Sequence, residues 1–178
     1  MTDFSTNSLA QGSRGLRNNN PGNIAPGGLI PWQGQIGDDG VDVTFDTVEN
    51  GIRAMAIILC NYQIIHGLYT LNDIFARWAP ASDGNNPTEY ANYVAGQLGI
   101  SPTDSFTITA DNIVPLMQAI CNMELGSYSQ YVTNQMLTDG ANSTTAAILE
   151  FLGTTTGKFS VAAVIGLIVL VFYLFKKK

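Results

Sequence analysis

The run Arg14-Gly-Leu-Arg-Asn-Asn-Asn-Pro-Gly-Asn-Ile24, with Trp32-Gln-Gly34 shortly after it, restricts this chain more than any other part. No helix or strand needs three successive asparagines and then Pro-Gly-Asn. Gly reaches positive φ, Pro fixes φ and removes a donor, and Asn bonds to its own backbone. Clustered this densely, they predict an ordered loop bristling with side-chain amides. Such a surface suits hydroxyl- and acetamido-rich ligands, meaning sugars.

Around this loop the local signals are mostly helical. Residues 1–13 are polar and read as a flexible arm, and the loop region runs to about Asp42. Val41-Asp-Val-Thr-Phe45 alternates like a short strand. Asp46-Thr-Val-Glu49 reads as a capping box opening a helix from about Thr47 to Ile65, with Ile52, Met55, Ala56 and Leu59 as its core stripe. Thr70 caps a short helix carrying Ile74, Phe75 and Trp78, which stops at Pro80. Asn86-Pro-Thr-Glu89 combines an N-cap, a proline at the first helical position and a boxed Glu, and the helix it opens ends at Gly99. Thr109 caps another helix from Ala110 to about Leu125, with Gly126 as its stop. Tyr128 to Met136 reads as a further short helix. The expected domain is mainly α with one small hairpin.

The C-terminal part is different. Residues 159–175 carry no charge and lie between Lys158 and Lys176-Lys177-Lys178. As a helix they span about 25 Å, near the short limit for crossing a membrane, with the lysines reaching headgroups. No secretory signal opens the chain, so the expectation is a tail anchor behind an N-terminal domain. The parts are then an arm at 1–13, a domain at 14–138, a linker and juxtamembrane segment at 139–157, and a transmembrane anchor with a lysine tail at 158–178. Residues 1–157 hold four arginines against all 14 Asp and Glu, a net charge of −10, which argues against a nucleic-acid surface on the domain.

Cys60 and Cys121 fall in apolar helical segments and read as free buried thiols, and no metal or cofactor motif is present. His66, the only histidine, precedes Gly67 at a helix end, where it interacts favourably with the helix terminus. Ser-His-Asp and Cys-His mechanisms are therefore disfavoured.

Four glutamates remain as candidate acids. Glu49 and Glu89 follow capping residues, where backbone N–H groups and the helix dipole favour a carboxylate and oppose proton donation. Glu150 adjoins the expected anchor. Glu124 ends the helix Ile113-Val-Pro-Leu-Met-Gln-Ala-Ile-Cys-Asn-Met-Glu124, in apolar sequence with no cation within a turn. The dipole and these surroundings predict a raised pKa, as a general acid requires. On these features alone, an exposed carboxylate at a frayed helix end fits equally.

The Arg14–Ile24 run and Trp32-Gln-Gly34 are followed in order by Phe45, Gly51-Ile-Arg-Ala54, Tyr62, Thr70, Ile74, Arg77-Trp-Ala-Pro80 and Tyr90. This pattern resembles a bacteriophage family related to lytic transglycosylases, of the kind carried by membrane-containing tailless phages. The correspondence extends from about Arg14 to Gly126. It implies a lysozyme-like α+β fold acting on peptidoglycan. Two departures stand out. Family members often carry Pro-Pro and Glu-Asn after Trp-Ala, where this chain has Ala79-Pro-Ala-Ser-Asp-Gly-Asn-Asn86. Their His/Arg-Glu-Asn-Gly pattern appears as Asn122-Met-Glu-Leu-Gly126, which keeps the Glu and the Gly.

Asn19-Asn20-Pro-Gly-Asn-Ile24 and Trp32 are also similar to the hairpin that follows the catalytic Glu helix in glucosaminidases of the lysozyme superfamily. No comparable helix precedes the motif in this chain. A circular permutation would supply it from Ile113–Leu125 and set Glu124 beside the asparagine loop, and nearby termini make permutation easy. Asn86-Pro-Thr-Glu-Tyr-Ala91 then resembles the tyrosine-bearing helix start that lines the sugar cleft.

The resemblance implies Glu124 as catalytic residue, with Asn20, Asn23, Tyr90 and Trp32 binding substrate; Trp78 is a further stacking or core candidate. Asp38, Asp39, Asp42 and Asp83 are the candidates for a second carboxylate. Expected partners are peptidoglycan glycan strands, the virion lipid membrane through residues 159–175, and other capsid or virion membrane proteins. The host inner membrane is the expected site during assembly, with Lys176, Lys177 and Lys178 facing the packaged genome. The competing expectation is a non-catalytic minor membrane protein of the virion that keeps the same fold.

Overall fold

The computed structural model describes residues 1–28 and 30–155, with side chains of the last helix described as far as Thr144. The charge-free segment 159–175 and its flanking lysines lie outside the described residues. None of the described helices is long and apolar enough to cross a membrane.

The architecture is mainly helical with one two-stranded antiparallel sheet. A single-turn helix α1 (Arg14–Arg17) leads into the asparagine loop, followed by the hairpin β1 (Gln35–Asp38) and β2 (Val43–Phe45). The strands pair Gln35 with Phe45 and Asp38 with Val43, with an irregularity between Gln35 and Gly37. Then come α2 (Val48–Ile64), α3 (Leu71–Trp78), α4 (Pro87–Leu98), α5 (Ile113–Leu125) and α6 (Asn134–Thr155). The core is built from Ile52, Met55 and Leu59 of α2, Ile74 and Phe75 of α3, Val94 of α4, Leu116 and Ile120 of α5 and Leu137 of α6.

Several caps form as their sequences predict. The Thr70 hydroxyl accepts the Asp73 N–H at 3.1 Å, and Asn86 Oδ1 accepts the Glu89 N–H at 3.2 Å. The box at Asp46–Glu49 does not form. Thr47 is the N-cap of α2 without a side-chain bond, and the Glu49 carboxylate instead accepts the Thr2 N–H at 2.7 and 2.9 Å. The helix expected from Ala110 starts later, at Ile113, because the Asn112 side chain turns back to accept the Thr109 N–H.

That use of Glu49 corrects the flexible-arm expectation. Thr2 O also accepts the Val48 N–H, Phe4 is 4% exposed, and Ala10 is buried. Two apolar side chains within a polar stretch suffice to dock it when the backbone groups find partners. The expected boundary after residue 138 is also corrected. Leu137, Ala141 and Thr144 are buried and belong to one continuous α6, which packs on α2. A Cβ at Gly140 would meet the Ile52 side chain at 2.5 Å, so here glycine permits close helix packing rather than marking a linker.

Candidate active site

The asparagine loop is ordered by turning its amides inward. Asn19 and Asn23 both have left-handed backbones, at φ 50° and 46°, a region where a short amide side chain is tolerated best after glycine. Asn20 has no exposed surface. Its Nδ2 donates to the carbonyls of Ile24 and Val43, both at 2.9 Å, and its Oδ1 accepts the Ile24 N–H. Asn19 Nδ2 donates to Phe45 O at 3.0 Å, while its Oδ1 accepts the Phe4 N–H. Main-chain bonds from Val43 N to Ile24 O and from Phe45 N to Asn18 O complete the attachment, so the loop covers the edge of β2.

The loop therefore does not bristle with amides. Asn20 is corrected as a substrate-binding residue, because buried polar groups must be satisfied and its two amide ends are consumed by backbone. Asn18 and Asn19 also donate to the carboxylates of Asp39 and Asp3, whereas Asn23 is the asparagine of the motif that reaches Glu124. Its Nδ2 donates to Glu124 Oε2 at 2.9 Å, across 101 residues of sequence.

Glu124 lies on the last turn of α5 and is half-buried. Its other oxygen, Oε1, accepts the Tyr90 hydroxyl at 2.7 Å and the Trp78 indole N–H at 3.0 Å. Three elements thus converge on one carboxyl: the loop, the end of α3 and the first turn of α4. The Tyr90 ring is fixed by stacking on Phe75, with centroids 4.6 Å apart and planes 19° from parallel. Burial, and then the neighbouring Glu124, push the Tyr90 hydroxyl pKa up, so it stays a proton donor to that carboxyl. Gly15 makes room for the arrangement: a Cβ there would sit 2.6 Å from Asn23 Oδ1 and 2.7 Å from Leu125 Cδ2.

Glu124 borders a cleft of about 750 Å³ whose wall includes Asn23, Asp42, Trp78, Asp83 and Tyr90. Of the four aspartates considered as second carboxylates, Asp42 and Asp83 border this cleft with Glu124, and Asp38 and Asp39 do not. Asp42 is 5% exposed, and its pKa is raised by burial first and then by the charge of Asp39, with Glu124 adding to the effect. Arg14 opposes the rise, lying 3.8 Å from Asp42 and 3.6 Å from Asp39. Asp39 moves the other way, from 3.8 to about 2, because the Asp42 N–H and the Asn18 amide donate to it. Glu89, eliminated from the sequence as a proton donor, also borders the cleft, from the first turn of α4. Trp32 is half-buried in an adjoining hollow rather than beside Glu124. Among the described residues no group of three His, Cys, Asp or Glu side chains could hold a metal ion.

Trp78 is the partner of Glu124 whose sequence context does not separate a core role from a site role. The elements carrying Trp78, Tyr90 and Asn23 are positioned by core packing, and this tertiary arrangement selects them.

Over 125 residues the chain is 40% identical to protein P5 of Pseudoalteromonas phage PM2, a match covering 67% of this chain and 75% of that protein. The chain belongs to the P5 family. It is thus a relative of a bacteriophage protein, and no broader family model matches it.

Proposed function

We propose that this protein is a virion-associated peptidoglycan-degrading enzyme, held in the phage membrane by residues 159–175. It cleaves the β-1,4 bond between N-acetylmuramic acid and N-acetylglucosamine, locally opening the host wall. The observation that carries the reading is the half-buried carboxyl of Glu124, gripped by Tyr90, Trp78 and Asn23 at the wall of a cleft large enough for sugar rings. The meeting of the asparagine loop with the end of α5 also supports a circularly permuted lysozyme-like domain.

In this mechanism protonated Glu124 donates to the glycosidic oxygen as the bond breaks. The resulting carboxylate then takes the proton of the muramic 6-hydroxyl, whose oxygen closes the 1,6-anhydro ring. One residue serving as acid and then base follows from microscopic reversibility. Oε2 accepts one hydrogen bond in the free protein and so retains acceptor capacity for substrate. Tyr90 and Trp78 hold Oε1, which restricts the carboxyl to one orientation. A hydrolytic outcome would instead require a second carboxylate, and Asp42 is the buried candidate on the same cleft.

Full-length protein incubated with purified peptidoglycan, with products analysed by mass, tests the reading. Release of 1,6-anhydro products is expected, and reducing-end products would replace the transglycosylase chemistry with hydrolysis. Muralytic activity that survives Glu124→Gln at the native level would remove Glu124 from its role.

A second reading is favoured by the same bonds. A carboxyl with three protein donors is also a pin joining loop, α3 and α4, as a non-catalytic virion membrane protein of this fold would use it. The replaced Ala79–Asn86 loop points the same way. Absence of any product from folded wild-type protein, together with a large loss of melting temperature in Glu124→Gln, would establish this role.

A further inference from the structure

The cleft continues beyond Glu124. Ile24, Ala25, Ile58, Tyr62, Arg77 and Pro80 border both it and an adjoining hollow of about 830 Å³, which reaches Trp32 and His66. Arg77, exposed at the junction, immediately precedes the Trp78 that donates to Glu124. Its guanidinium carbon lies 5.5 Å from the centre of the Tyr62 ring. Resting over an aromatic face orders the guanidinium while leaving its N–H edge available.

The charge around Arg77 gives this placement its meaning. Asp73 borders the hollow, while Asp42, Asp83, Glu89 and Glu124 border the cleft. Yet among the described residues the ion pairs at contact distance are those of Arg14, and no carboxylate reaches Arg77. Asp73, one turn earlier on α3, is engaged by Thr70, whose hydroxyl donates to its Oδ2 at 2.6 Å. These acid side chains repel an anionic ligand, and Arg14, which also borders the cleft, is held by Asp39 and Asp42. The Arg77 fork therefore offers a place where a carboxylate can be held bidentately.

We propose that Arg77 binds a carboxylate carried by the glycan, so that the junction reads the acidic substituent of the muramic sugar rather than its hydroxyls. This rests on the peptidoglycan reading above. Two sources share the chemistry: the carboxylates of the stem peptide, or the lactyl carboxylate exposed when that peptide is removed.

Binding should be measured with full-length protein carrying Glu124→Gln, so that ligands stay intact. The probes are peptide-bearing glycan strands, the same strands stripped by an amidase, and chitin oligosaccharides, which lack carboxylates. Adding Arg77→Ala is expected to weaken carboxylate-bearing strands on the order of tenfold and to leave the chitin oligosaccharide unchanged. Arg77→Lys should fall between, because it keeps the charge and loses the fork. A loss on stripped strands assigns the lactyl group, and a loss confined to peptide-bearing strands assigns the stem. Equal losses on all three ligands, or no loss on either strand type, overturn the proposal while leaving the enzyme reading intact. Failure of the Arg77-containing protein to bind any of the three overturns the glycan reading, and this proposal with it.

Discussion

Asn20 and Asn23 belong to one loop and carry the same side chain, yet their surroundings use them in opposite ways. Asn20 is fully enclosed and spends its amide on Ile24 and Val43. Asn23 is half-buried and spends its donor on Glu124. A loop lying along a strand edge leaves backbone groups that must find partners, and the nearest amides are drawn inward to serve them. The side chain that the backbone does not need is left for the site. An asparagine-rich motif can therefore be read as a ligand surface only after its backbone bonds have been assigned.

The sharpest way to break this comparison is at Glu124. Glu124→Gln should lower turnover on peptidoglycan by about 10²- to 10⁴-fold, the usual contribution of a positioned acid and base. It should keep the Asn20 side of the loop intact, seen as unchanged amide protection at Ile24 and Val43.

Asn20→Ala should act on the fold instead. It strands two carbonyls and one N–H, at a cost of about 3 kcal/mol or more in denaturant unfolding. A stable Asn20→Ala protein with lost substrate affinity would reverse the roles assigned to the two asparagines. Asn23→Ala is expected to lower turnover about tenfold through loss of one bond that orients the Glu124 carboxyl. Its effect on stability should be about 1–2 kcal/mol, from placing alanine in a left-handed conformation.

The smallest expected effect concerns Asp39 and Asp42, a contrast of the same kind between two acids of the hairpin. Asp39 has a depressed pKa, so its favourable contribution is present above 3.8 and is lost as pH falls towards about 2. Asp42 has a raised pKa, so its ionisation opposes folding increasingly as pH rises above 3.8. Asp42→Asn should therefore raise the melting temperature at neutral pH and change it least below that value. A melting temperature lowered at neutral pH would show that the Arg14 pair outweighs burial.

Much of the helical framework is legible locally, because caps and stops depend on neighbouring residues. Thr70, Asn86 and Gly99 mark their helices where the structure has them, and Val41–Phe45 contains the observed β2. The failures share one cause. From local sequence Glu49 reads as part of a capping box, the first 13 residues read as an arm, and 139–144 reads as a linker. Each is decided by a distant partner: Thr2 for Glu49, Asn19 for Phe4, and Ile52 for Gly140.

The candidate site divides in the same way. Dipole position and apolar neighbours are properties of one helix, and they make Glu124 a candidate acid without separating it from an ordinary helix-end carboxylate. A resemblance decides for Glu124 and names Asn23 and Tyr90. Only the tertiary structure decided that Asn20 faces inward, that Trp78 rather than Trp32 reaches the carboxyl, and that Arg77 stands between two hollows. Local sequence sets which backbone bonds a segment can make for itself. Packing between segments distant in the chain sets which side chains remain free to meet a ligand.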